Sequence, residues 1–410
     1  MGTIISLFLG IFLYFHPLID EGKDSLVYLG FLIAIFAGIF FLAFQLLLTN
    51  AWAPLGKAED NFTWRVVDMH QKDRGDLLAN IWSVFFVIIS LGCFIDVLWT
   101  HQIPLKWLVP VWIVFLGIAI DAFLYKIKKI YQYLSPFAVI QMFSSQARKS
   151  VQTDKELDLC HWLEALSEIA FKAIDKQSTS VCHDAIAEIQ KTIRFFLEAS
   201  KGINFGNLDS QSTSMGIKDK VGYTLFYVFQ RLEMINEKAL QSKFEMTIEQ
   251  LISALGKITL DSAKYDLSLA SYPLHYLGKF TLKAQAAGMQ EIGAKATCIL
   301  IEVTKAIIAQ VDLTYQELQE PFLSVISSLE KIAKETFKQD KNSNINLLVQ
   351  PFKDLRELFL KNEKMAGHQD TPVLVQSLDR IIGEFNTLEV VLKTMPPISA
   401  FTQPDNLSQT

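Results

Sequence analysis

The chain has 410 residues, 38 of them basic and 43 acidic, and half are hydrophobic. A net charge of −5 leaves no electrostatic footprint for nucleic acid, and four cysteines over this length imply no disulfide framework. The apolar residues are unevenly placed: four apolar stretches crowd the first 125 residues and none follows.

The first stretch, 4–19, runs for 12 residues, Ile4 to Phe15, before His16-Pro17, and for about 16 when Leu18 and Ile19 are counted. That length suits a short tilted span, a re-entrant piece or an uncleaved anchor. A cleaved signal is not expected, because no Lys or Arg precedes it and no small-residue cleavage site follows. The second stretch, 26–49, is interrupted only by Gln45, and 77–99 and 104–125 each hold one acid, Asp96 and Asp121. At about 1.5 Å per residue, about 20 helical residues cross a hydrocarbon core of roughly 30 Å. The expectation is a transmembrane bundle of four spans over 1–125. Within the second span, Gly30, Ala34 and Gly38 recur every fourth residue, a small-residue stripe that lets helix backbones approach closely.

Basic residues set the expected orientation. Lys57, Arg65, Lys72 and Arg74 lie between the second and third spans, and Lys126, Lys128 and Lys129 follow the fourth. The other two loops hold only Lys23 and Lys106. The positive-inside rule then places both termini and the middle loop in the cytoplasm, as in a bacterial inner membrane. With three spans only the start of the chain changes side. Lys126, Lys128 and Lys129 read as an anchor on anionic headgroups. Counting from the inner boundary puts Gln45, Asn80 and Asp121 at one depth on three helices, which predicts a hydrogen-bonded intramembrane cluster. His16 and Asp96 fall together near the outer boundary as a second candidate pair. Polar groups within spans pair with one another or face the bundle interior.

Beyond the spans, residues 126–410 hold 32 basic and 33 acidic residues, a nearly balanced soluble composition. Residues 126–200 read as a juxtamembrane helix and a first helical hairpin. The Gly- and Ser-rich segment 201–216 reads as a flexible linker, 217–394 as a helical domain and the proline-bearing 395–410 as a disordered tail. Leu159, Trp162, Leu166, Ile169 and Ala173 recur at three- and four-residue steps, the stripe of an amphipathic helix. No alternating run bounded by turn signals marks a strand. The fold class is therefore all-α.

One pattern recurs. Leu166-x2-Ile169-x2-Lys172-Ala173 returns as Leu232-x2-Ile235-x2-Lys238-Ala239 and as Leu277-x2-Phe280-x2-Lys283-Ala284, with a weaker echo at Leu329-x2-Ile332. This resembles the paired antiparallel helices of HEAT-like repeats, in which each pair buries its apolar face on the next. The uneven spacing keeps an irregular helical bundle open as the alternative. Residues 169–187 with their turn also resemble helix pairs of bacterial membrane proteins built as a span bundle plus a cytoplasmic helical domain. No functional residue follows from that resemblance.

Glycine-rich phosphate loops, dinucleotide fingerprints, H-E-x-x-H and G-x-S-x-G are all missing. Cys160-His161 and Cys182-His183 carry zinc-type ligands, but a hairpin would offset the two pairs by roughly 15 Å, far beyond shared coordination. They read as core cysteines and helix-surface histidines. The expectation is a membrane-anchored scaffold, without cofactor, whose helical domain binds a protein partner. The bilayer and a second copy of the chain are its other expected partners. An oligomeric channel or transporter is the second reading, and an enzyme with a site at the bundle–domain junction the third.

Overall fold

The computed structural model describes residues 2–15, 23–100, 103–153, 155–200, 220–314, 316–341 and 344–394. The linker at 201–216 and the tail at 395–410 lie outside them. Two compact units divide the chain, Met1–Gln141 and Met142–Thr410, and among the described residues every regular element is helical.

In the first unit, α1 (Gly2–Phe15), α2 (Lys23–Asn61), α3 (Arg65–Lys72), α4 (Arg74–Ile95) and α5 (Leu105–Leu134) form the bundle, and α4 runs on into a π-turn at Asp96–Thr100. Three helical segments, Val27–Leu47, Arg74–Trp99 and Trp107–Leu134, are long and apolar enough to cross a membrane. Their outward faces are as apolar as their inward ones. Ile35, Ile39, Leu42, Ile81, Ile88 and Leu91 are all exposed. Inside, Ile33, Phe86, Val97, Leu108, Trp112 and Ala119 form the core, with Phe40 edge-on to Phe86 at 5.1 Å. Trp112 Nε1 donates to Ser90 Oγ at 2.9 Å, so the indole's one donor is satisfied within the apolar interior.

At about 1.5 Å per residue, the 14 residues of α1 reach about 21 Å, short of a full crossing. The helix packs along α5 instead. Gly2, Ser6 and Gly10, four residues apart, form its contact stripe. A Cβ on Gly10 would lie 3.1 Å from the Pro110 carbonyl, and a Cβ on Gly117 would lie 2.6 Å from Ser6 Cβ and 2.9 Å from the Gly2 carbonyl.

The second unit begins within α6 (Pro136–Gln152) and continues through α7 (Glu156–Asp175), α8 (Thr179–Ser200), α9 (Lys220–Gln241), α10 (Glu245–Tyr265), α11 (Ser271–Ala286), α12 (Gln290–Gln310), α13 (Gln319–Gln339), α14 (Ile345–Lys361), the single turn α15 (Glu363–Ala366) and α16 (Thr371–Thr394). Helices α7, α9, α11, α13 and α16 stack as one row, and α8, α10, α12 and α14 as the other. The recurring sequence pattern marks the first helix of each of the first three hairpins. Leu166, Ile169, Ala173 and their counterparts are all buried. Each copy also ends the same way. The carbonyls of Ala173, Ala239 and Ala284 accept from the amides five residues on, Ser178, Phe244 and Met289, at 2.8–3.0 Å. The residue before each of those amides, Gln177, Lys243 or Gly288, is left-handed, with φ of 54°, 52° and 88°. That is the Schellman termination, and it reverses the chain into the second helix.

Charged rungs join successive hairpins. Arg231 pairs with Glu164, Lys238 with Asp175, and Lys283 with Glu237, each reaching to the preceding first-row helix. Lys295 pairs with Glu249 across the second row. The uneven spacing has two structural sources: the segment 201–219 lies in the first interval, and a 3-10 turn at Leu267–Ala270 lies in the second. In the fourth hairpin, Thr336 stands where the others carry Ala, and its hydroxyl accepts from Gln285 Nε2 at 2.8 Å. At the first end, α6 covers the stack: Phe143 packs on Trp162 at 5.5 Å, and Ser144 and Arg148 both donate to Glu188. Residues 142–394 thus carry their own core, covered at the first end by α6. Expressed alone, they should give a soluble, cooperatively melting, strongly helical domain by circular dichroism. Aggregation or strand signal would contradict this.

Candidate functional site

A cluster of polar groups lies at the α3 end of the bundle. Two sequence stripes of matching spacing build it. Asp73, Asp76 and Asn80 lie on one face of the start of α4, and Lys126, Lys129 and Tyr133 on one face of the end of α5. Antiparallel packing sets the acidic face against the basic one. Asp73 caps α4, accepting from the Gly75 amide at 2.9 Å, and also takes Lys129 Nζ at 2.8 Å. One step deeper, Lys126 is 2% exposed. Its ammonium donates to Asn80 Oδ1, lies 3.7 Å from Asp76 Oδ2 and sits 5.5 Å from the centre of the Phe44 ring on α2. Asn80 Nδ2 donates to the same Asp76 oxygen at 3.5 Å. The amide thereby bridges lysine and carboxylate.

Helix α3 closes the site. His70 Nε2 lies 3.8 Å from Asp76 Oδ2, and the imidazole meets Tyr133 edge-on at 5.4 Å. Asp76 Oδ1 and His70 Nδ1 are both buried and have no hydrogen-bond partner among the described residues. Burial pushes the His70 pKa down, and Lys126 and Lys129 act in the same direction. Asp76 and Asp73 oppose the shift without cancelling it. Burial alone would raise the Asp73 carboxyl, but the hydrogen bonds from Lys129 and from the Gly75 and Asp76 amides hold it below the ordinary carboxylate range.

The structure redistributes the residues that the sequence brings forward. Lys126 is not a headgroup anchor: α5 stays helical to Leu134, and α2, α3 and α4 surround the lysine. Lys128 is exposed, and Lys129 turns inward to Asp73. The expected cluster of Gln45, Asn80 and Asp121 is replaced by two separate sites. Asn80 is level with Lys126, five residues and about 7.5 Å along α5 from Asp121. Asp121 instead caps α1, accepting from the Gly2 amide at 2.8 Å, the Thr3 amide at 2.9 Å and the Thr3 hydroxyl at 2.5 Å. Gln45 is exposed on α2, beside the buried Phe44.

Asp96 is buried at the opposite end of α4 and accepts from the Ile103 amide at 3.2 Å, while its expected partner His16 lies outside the described residues. The stripe of Gly30, Ala34 and Gly38 does not pack as one surface. Gly30 sits against Val97 and Leu98, Ala34 is half-buried, and Gly38 is exposed with open space where a Cβ would stand. The buried row of α2 is instead Ile33, Ala37 and Phe44. In the helical-repeat unit, Cys160 and Cys182 are core residues. Cys182 lies 3.7 Å from the Thr247 hydroxyl, and burial pushes its thiol up to about 11.

Sequence reasoning missed His70, Asp76 and the stripe of Gly2, Ser6 and Gly10. The matched 3-then-4 spacing of Asp73, Asp76, Asn80 and of Lys126, Lys129, Tyr133 was the available signal for Asp76. No protein-family model matches the chain, and no curated protein is significantly similar to it. Among solved structures, a circular tandem repeat protein with novel repeat topology and enhanced subunit contact surfaces is similar over 88% of this chain and 98% of its own. Its identity is 14% and its TM-score 0.26, too distant to bear on fold or function.

Proposed function

We propose that the chain is a multi-pass membrane protein that anchors a helical-repeat scaffold, with the repeat unit on the cytoplasmic side of a bacterial inner membrane and binding a protein partner there. The observation that carries this reading is the stack of hairpins with its charged rungs. Arg231, Lys238 and Lys283 each tie one pair to the one before, which keeps an extended two-row surface in fixed register. Stacked helical pairs supply broad binding surface rather than a reaction centre. Met234 and Tyr272, both about half exposed on first-row helices, are the apolar points we assign to that surface. The positive-inside count supports the cytoplasmic placement.

A transport reading is less well supported. The polar residues on the buried face of α4, Asp76, Ser83 and Ser90, stand seven residues and about 10 Å apart, with Phe86 between the serines. Phe40, Phe86 and Trp112 fill the space between the polar levels.

The test uses the full chain in native membranes. Cross-linking and affinity capture should yield a defined protein partner, and Met234→Asp with Tyr272→Asp should abolish its capture without lowering thermal stability. Unchanged capture by that variant would reject the assigned surface. A reporter after Thr410 should be active only in the cytoplasm, and a periplasmic signal there would overturn the orientation.

A further inference from the structure

We propose that His70 is a proton-operated latch: its neutral form holds α3 over the buried Lys126–Asp76 pair, and its protonation releases α3 and opens that end of the bundle to water. The argument starts from α3 itself. Eight residues are too few to hold a helix in water, so α3 persists only through its docking contacts. Those contacts run to α2 and, through His70, to Asp76 on α4 and Tyr133 on α5. Val66 is fully buried and His70 half-buried, while Trp64, Gln71 and Lys72 are exposed. The ion pair of Lys72 with Asp68 lies within the helix and does not tie it to the bundle.

What His70 faces decides the sign. From α4 it meets Asp76 and Asp73, and from α5 it meets Lys126, Lys129 and the Tyr133 ring. On α2, the charged residues of the adjoining turns, Lys57, Glu59 and Asp60, are exposed. The oxygen nearest the imidazole, Asp76 Oδ2, is already shared with the Lys126 ammonium, 3.7 Å away on one side against 3.8 Å to His70 on the other. A second cation there competes with the first for one carboxylate in a buried site. The docked imidazole therefore resists protonation, whereas an undocked one has the ordinary value of about 6.5. The proton binds the released form better. Docking is complete above the ordinary histidine value and is lost as pH falls through it towards the lower docked value. The burial of His70 Nδ1 and Asp76 Oδ1 without partners adds to the bias, because release lets water satisfy both atoms.

The experiment is amide hydrogen exchange on the full chain in lipid nanodiscs, with rates corrected for the intrinsic effect of pH. Peptides covering Trp64–Lys72 should open about threefold or more between about pH 7.5 and 5, while peptides from the core of α5 stay unchanged. His70→Gln, which cannot take the proton, should hold α3 equally at both values. His70→Lys, a permanent cation, should leave α3 open even at about pH 7.5. Equal protection of α3 across the range in the parent protein would overturn the proposal. So would an unaltered acid response in His70→Gln, or a closed α3 in His70→Lys.

Discussion

Lys126→Met should lower the stability of the N-terminal unit by about 3–5 kcal/mol, the cost of leaving the Asp76 carboxylate buried without its cation. The same substitution at Lys128, two residues away and exposed, should change stability by less than about 0.5 kcal/mol. Chemical unfolding of the detergent-solubilised protein, followed by intrinsic fluorescence, reads both. Combining Lys126→Met with Asp76→Leu should recover most of the loss, because replacing both members of a buried ion pair with apolar groups removes the uncompensated charge. Recovery should stop short of the parent by about 1–2 kcal/mol, since Asn80 loses both Lys126 and Asp76 as hydrogen-bond partners. If Lys126→Met were as mild as Lys128→Met, the lysine would be solvated at the membrane surface and the buried site would not exist.

Gly117→Leu should strip α1 from α5. A Cβ at Gly117 already meets Ser6 Cβ at 2.6 Å and the Gly2 carbonyl at 2.9 Å, and the second of these is backbone that no rotamer change can move. Overpacking of this kind costs about 1–3 kcal/mol, and separation of the short helix is the cheaper outcome. A cysteine pair at Gly10 and Val114 reports it, because a Cβ at residue 10 lies 3.4 Å from Val114 Cγ2. Cross-linking should fall at least about fivefold in the Gly117→Leu background. Asp121→Ala should act in the same direction but less strongly, since it removes a helix N-cap worth about 1 kcal/mol. Undiminished cross-linking in Gly117→Leu would show that α1 is held elsewhere.

The sequence by itself determined the elements and their class. The apolar runs of 26–49, 77–99 and 104–125 contain most of the three long apolar segments, because hydropathy over about 20 residues is a local property of the chain. The pattern from Leu166 to Ala173 and its two copies likewise marked equivalent helices, because the buried face of an amphipathic helix is written at fixed spacing. Even the Schellman turns follow each copy at a constant interval. What only the tertiary structure decided is which polar group meets which. Counting residues from a presumed membrane boundary placed Gln45, Asn80 and Asp121 together, but the actual offset between α4 and α5 sets Asn80 against Lys126 and leaves Asp121 to cap α1. An error of five residues is about 7.5 Å along a helix, more than twice the reach of a hydrogen bond. The same holds for small residues. Gly38 fits the sequence stripe yet faces outward, whereas Gly2, Ser6 and Gly10, in a stretch too short to call a span, make the close helix contact. Helix-to-helix register and rotation are fixed by packing across the whole bundle. The burial of Lys126 and the docking of His70 on Asp76 depend on both, so neither could be read from spacing along one strand of sequence.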